Sequence, residues 1–159
     1  MTGLYGALAM AGAVISLFVA SEASAQLADK KVLTLEGAKM IAAAADAEAR
    51  KNNWNVVIAI VDDAGNLIYY QRADDTQYAS NDIAIEKARS AAKFRRSTKV
   101  MEDVVAGGRH VFMTFPGVVP VQGGLPLMAG GKVVGAIGVS GVASHQDEIV
   151  AQAGVGVLK

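Results

Sequence analysis

From Thr34 to about Asn52, Leu35, Ala38, Ile41, Ala42, Ala45 and Ala49 recur at the spacing that puts them on one helix face, behind a threonine suited to an N-cap. The pattern predicts an amphipathic, alanine-rich helix. The next apolar run, Val56 to Val61, is short and β-branched and predicts a strand. Asp62-Asp63-Ala64-Gly65-Asn66 supplies turn residues, and Leu67 to Arg72 follows as the hairpin partner. Alternation along that partner sends Tyr69 and Tyr70 to opposite faces, so only one of them can line a given pocket. Ser80, Asn81 and Asp82 offer capping oxygens ahead of Ile83, Ala84, Lys87, Ala88, Ala91 and Ala92, predicting a second helix to about Arg96. A shorter helix from Lys99 should end at Gly107-Gly108, where glycine can turn left-handed.

Between Val111 and Val121, Pro116 and Pro120 argue against a regular central strand, and the stretch reads as loop with one edge strand. Leu125–Ala129 and Lys132–Ser140 flank Gly130-Gly131, a pair that can adopt the positive φ angles of a two-residue hairpin turn. Ser144 and Asp147 have the spacing of a capping box before Ile149, Val150, Ala153 and Val157, so the chain should end in a helix. Hairpins rather than strand-helix-strand repeats imply an α+β fold, an antiparallel sheet with helices on it.

One segment stands outside this pattern. Leu4 to Ala20 is almost wholly apolar and is followed by Ala23-Ser24-Ala25, the small-x-small form of a signal peptidase site. The expectation is a signal peptide over residues 1–25, cleaved before Gln26, and a single domain over 26–159 that is periplasmic or secreted. No Lys or Arg precedes the apolar run, unlike most secretory leaders. An uncleaved anchor is the alternative, because seventeen residues sit at the lower limit for a membrane span. After cleavage no stable membrane insertion is expected.

Composition narrows the chemistry. The chain is 52% hydrophobic and 19% charged, which excludes a charge-rich disordered tail. Fifteen Lys and Arg balance fifteen Asp and Glu, so no global field draws in nucleic acid, and no such partner is expected. The absence of cysteine closes disulfides, thiolate metal sites and covalent haem attachment through C-x-x-C-H.

Glycines 123, 124, 130, 131, 135, 138 and 141 crowd nineteen positions. Missing side chains in or beside a strand allow close approach, either of the last helix or of a flat ligand. No dinucleotide fingerprint or P-loop occurs. The two histidines, His110 and His145, fall on different predicted elements; each is a candidate iron ligand, although a solvated side chain is the commoner role for a histidine so placed. Met101, Met113 and Met128 are soft donors that core packing explains as well. Lys87, Arg89, Lys93, Arg95 and Arg96 crowd one helix, either meeting ligand carboxylates or forming a solvated face. Ser140 and Ser144 lack a nucleophile-elbow context.

Val61-Asp62-Asp63-Ala64-Gly65-Asn66-Leu67, Arg72-Ala73-Asp74, Pro120-Val121-Gln122-Gly123-Gly124-Leu125-Pro126-Leu127, Gly135-Ala136-Ile137-Gly138-Val139-Ser140-Gly141 and Gln146-Asp147-Glu148 together resemble the GlcG/HbpS-like family of haem-binding proteins. The resemblance spans about residues 33–158. It implies a profilin-like fold with an antiparallel sheet of about five strands flanked by helices. It also implies a homo-oligomer, often an octamer, and non-covalent haem in some members, with links to haem degradation or redox sensing. A related domain ends certain corrinoid adenosyltransferases. On this basis Arg72, Lys87, Gly123, Gly124, Gly135, Gly138 and Ser140 are the candidate cofactor-binding residues, and His110 and His145 the candidate metal ligands; the catalytic residues are open. Two other classes remain: an enzyme on a small organic acid, with Arg72 or Lys87 binding the carboxylate and Asp62 or Asp74 accepting a proton, and an oligomer with no small ligand.

Overall fold

Thr34 caps the first helix as its position predicts: Oγ1 accepts the Gly37 N–H at 3.1 Å, and α1 runs Leu35–Lys51. The computed structural model describes residues 26–158, so the expected signal peptide lies outside the described residues. Strands β1, Val57–Asp62, and β2, Leu67–Arg72, form the expected hairpin. Its turn is organised by Asp62. One carboxylate oxygen accepts the N–H groups of Ala64 at 2.9 Å and Asn66 at 2.8 Å, and the other accepts the Asn66 side-chain amide at 3.0 Å.

Burial alone would raise the Asp62 pKa, but hydrogen bonds from the Asn66 side chain and from the backbone of Asn66, Ala64 and Gly65 outweigh it and hold the carboxyl below its ordinary value. Asp62→Ala should therefore cost about 1 kcal/mol at neutral pH in a urea melt. Because the folded pKa is the lower one, that deficit should shrink as pH falls below about 4, where the wild-type carboxyl begins to take up its proton. A deficit constant down to pH 2 would show that the turn does not depend on the charged form.

Helix α2, Ser80–Phe94, crosses one face of the sheet; α3, Thr98–Ala106, follows with Ser97 as its cap, Oγ accepting the Val100 N–H at 3.3 Å. Strands β3, Gly124–Ala129, and β4, Lys132–Ser140, are joined by Gly130 and Gly131 at φ 60° and 74°, as a two-residue hairpin requires. Helix α4, Ser144–Val155, completes the fold.

The sheet order is β2-β1-β4-β3 and every pairing is antiparallel. Its two faces differ in side-chain size. Ile58, Ile60, Leu127, Ile137 and Val139 pack with Ile41 of α1 and Val150 of α4 in the larger core. On the other face Val57, Ala59, Val61 and Ala136 meet Ala84, Ala88, Ala91 and Ala92 of α2. β1 is thus covered on both sides, which explains its unbroken apolar run.

Three local expectations change. The sheet has four strands among the described residues, not five: the segment expected to add an edge strand forms a 3-10 helix over His110–Thr114 and then turns. Pro116 and Pro120 lack donors, and the nearby N–H groups go to side chains, Val119 to Ser90 Oγ at 3.1 Å and Gln122 to Glu102 Oε2 at 2.7 Å. α2 starts after Ala79 without a side-chain cap and stops at Phe94 instead of Arg96. α4 is preceded by Ala143, whose N–H is accepted by Gln146 Oε1 at 3.1 Å, whereas Asp147 turns into the protein. No helix among the described residues is long and apolar enough to cross a membrane.

Candidate functional site

Lys87 lies on the same face of α2 as Ala84, Ala88 and Ala91, and this puts its long side chain inside. It is 1% exposed, and Nζ donates to Asp147 Oδ2 at 2.9 Å and to the Val139 carbonyl at 3.0 Å. Asp147 is equally buried; its other oxygen accepts the Val142 N–H at 3.2 Å. Burial pushes the Asp147 carboxyl up, exceeding the opposing pull of Lys87 and of the Val142 and Gly141 amides. The pair ties α2, β4 and the start of α4 together. The Lys87 ammonium is therefore engaged internally.

The strand glycines serve the same close packing. A Cβ on Gly123 would lie 2.9 Å from Lys87 Nζ, and one on Gly124 would lie 2.7 Å from Thr98 Cγ2. Gly138 faces α2, where a Cβ would run into the Ala84 carbonyl and lie 2.5 Å from the Ala88 nitrogen. At Gly135 it would meet the Val61 carbonyl and stand 3.0 Å from Leu33 Cδ2, so this glycine seats Leu33. Ser140 donates to Ser80 Oγ at 3.2 Å, joining β4 to α2. The approach expected of a flat ligand or of the last helix along β4 is occupied by α2 at Gly138, by Val61 and Leu33 at Gly135, and by the Asn55–Val56 backbone at Gly141. The sequence held a signal for this: Lys87 and Asp147 each sit on the inward, small-residue face of their helices.

His110 opens the 3-10 helix and His145 the first turn of α4; both are exposed. Met101 is fully buried and accepts the Ser90 hydroxyl, whereas Met113 and Met128 are about half exposed. Among the described residues no group of three or more His, Asp or Glu is placed to hold a metal ion. Next to His110, Phe112 packs between Phe94 and Phe115 with ring centroids 6.3 and 5.3 Å away, leaving Val111, Met113 and Phe115 exposed.

Two clefts open on the surface. One, of about 790 Å³, lies between the end of α1 and the end of β2 and is lined by Arg50, Trp54, Gln71, Arg72 and Asp74 among others. Its Asp46 accepts from Arg50 Nε at 2.7 Å and from Gln71 Nε2 at 2.9 Å, and Arg72 stands 5.2 Å over the Tyr78 ring. It is mainly polar. Asp62, engaged in its turn with a lowered pKa, is a poor proton acceptor and does not line this cleft.

The second cleft, about 930 Å³, lies beside the β3–β4 turn. Met128, Ala129, Val133 and Val134 form an apolar wall, with Lys31, Lys132, Arg95 and the carboxylate-bearing Asp29 around it. The chain preceding α1 closes one side, held by Leu33 in the core and by Lys30 on Asp63 at 2.6 Å. Arg95 was legible only as one of several basic residues on a helix; its place at the cleft follows from the backbone turning left-handed there, φ 54° and ψ 39°. Neither histidine lines either cleft.

Helices on both faces of a four-stranded antiparallel sheet, locked by an internal Lys–Asp pair, define a small three-layered α+β domain. Within that class the chain belongs to the HbpS-like family of haem degrading proteins, whose profile matches residues 33–156. It is 44% identical over 111 residues to protein GlcG of Escherichia coli K12, covering 70% of this chain and 83% of that one. The structure is similar to that of a Streptomyces reticuli HbpS double mutant, with 33% identity and TM-score 0.77 over 88% of this chain and 98% of the other. It is also similar to a PduOC:heme complex, with 27% identity and TM-score 0.74 over 81% and 96% of the two chains.

Proposed function

We propose that the protein binds haem or a similar flat tetrapyrrole without covalent attachment, as an exported homo-oligomer. The observation that carries the reading is the family match over residues 33–156, supported by the likeness to a relative solved with heme. Export is supported by the leader-like composition of residues 1–25, and assembly into an oligomer by the family resemblance.

The residues of the second cleft fit such a group. Its volume suits a small-molecule site, its wall is apolar, and Lys31, Lys132 and Arg95 supply charge for propionates. Met128 is the one soft donor on the wall, while the imidazoles of His110 and His145 belong elsewhere on the surface. Bound haem would supply iron redox chemistry; the chain's part is to hold the macrocycle, neutralise its carboxylates and limit water at its apolar face.

Titration with haem at micromolar protein should shift and sharpen the visible spectrum. No spectral change at that concentration would remove haem as the ligand. His110→Ala, His145→Ala and Met128→Leu, each titrated separately, locate the iron contact. The variant that loses the wild-type spectrum while still binding haem identifies it, and three unchanged spectra would exclude all three side chains.

A further inference from the structure

Arg95 occupies a backbone conformation that costs an L residue energy and that glycine adopts freely at the end of a helix. Only three non-glycine residues in the described chain have positive φ: Asn53, Asp75 and Arg95. Asn53 and Asp75 belong to the side-chain types that tolerate this region, whereas arginine does not. Arg95 lines the second cleft with Lys31, Lys132 and Asp29, and none of these four charged residues forms an ion pair among the described residues. Lys30, beside them, is already taken by Asp63. Three unpaired cations stand against the single unpaired carboxylate of Asp29 around an apolar wall, which leaves an excess of positive charge, and a strained arginine stands where glycine would fold more easily.

We infer that this cleft selects its ligand by carboxylate groups on an apolar body, with Arg95 as the specificity-determining residue and iron dispensable for recognition. The apolar part lies on Met128, Val133 and Val134, and the carboxylate meets Arg95, with Lys31 and Lys132 as further charge. A porphyrin dicarboxylate and a fatty acid share this chemistry. The inference rests on the second cleft being the ligand site of the proposed function, but not on the ligand being haem.

The test measures binding of haem, metal-free protoporphyrin IX, its dimethyl ester and laurate to the full chain by absorbance, fluorescence and calorimetry, for wild type, Arg95→Gly and Arg95→Asn. Wild type should bind protoporphyrin IX at least about tenfold more tightly than the ester, the worth of one charged hydrogen bond. Both Arg95 variants should lose about that factor for the free acid and little for the ester, while Arg95→Gly melts at or above the wild-type temperature. Laurate binding that depends on Arg95 alongside porphyrin that does not bind would assign the cleft to acyl chains and end the haem reading. Haem binding unaffected by both Arg95 variants would keep that reading and overturn this one, as would an ester that binds as tightly as the acid. Should Arg95→Gly fail to fold, Arg95→Asn carries the comparison, since asparagine tolerates the same conformation.

Discussion

Replacing Gly138 by alanine is expected to remove about 3 kcal/mol or more of folding stability, through overpacking alone. The residue has no positive φ, so the added methyl strains nothing by its own conformation. The conflict is with the Ala84 carbonyl and the Ala88 nitrogen, and backbone at the middle of a helix cannot swing aside as a side-chain end can. α2 would have to lift from the sheet, loosening Ala84, Ala88, Ala91 and Ala92 from Val57, Ala59, Val61 and Ala136. Against a typical total of about 5–15 kcal/mol, this leaves a marginal fold. Gly131→Ala is the control: it has φ 74° and nothing within 4 Å, so it should cost only the conformational penalty, about 1–2 kcal/mol. Urea midpoints for the two variants decide the matter. A Gly138→Ala loss no larger than that of Gly131→Ala would mean that α2 is not packed on β4 as described.

The second large effect concerns Lys87 and Asp147. Lys87→Ala and Asp147→Ala should each cost about 3–5 kcal/mol, because each leaves the partner's charge buried and unmatched. Lys87→Met with Asp147→Asn, which removes both charges and keeps an acceptor for the Val142 N–H, should recover most of that loss. Additive losses in the double variant would show that the charges do not interact. The pH dependence has a definite sign. Burial raises the folded pKa of Asp147 above its unfolded value near 4, so its favourable contribution is complete at low pH and is lost as pH rises through the raised value. Wild type should therefore gain stability relative to Asp147→Asn as pH is lowered through that window. The opposite slope would mean that the Lys87 charge, rather than burial, governs this carboxyl.

These expectations follow from side chains whose roles differ from what residue type suggests. A basic helix ordinarily reads as a solvated face, and Arg89 and Arg96 do stay at or near the surface. Lys87 departs from them because its position in the helical period places it with alanines. The glycines of β4 offered two readings that composition cannot separate, since a missing side chain admits a helix as readily as a ligand. At Gly138 the helix occupies the space. The ordering of α4 shows a finer limit: Ser144, Gln146 and Asp147 all carry capping atoms, and which one caps depends on where Lys87 waits for a carboxylate.

Local chemistry along the chain determined the helix behind Thr34, the hairpins at Asp62–Asn66 and Gly130-Gly131, the strand at Val57–Val61 and the family to which the chain belongs. Those features depend on a few neighbouring residues, whose period and turn preference act over one or two turns of backbone. Only the tertiary structure decided that Lys87 pairs with Asp147 sixty residues away, that the proline-containing segment makes no fifth strand, and that Arg95 joins Lys31 and Lys132 around one apolar cleft. Such groupings arise from distant segments brought together by the packing of both sheet faces, and no local pattern encodes which distant side chain will fill a given space.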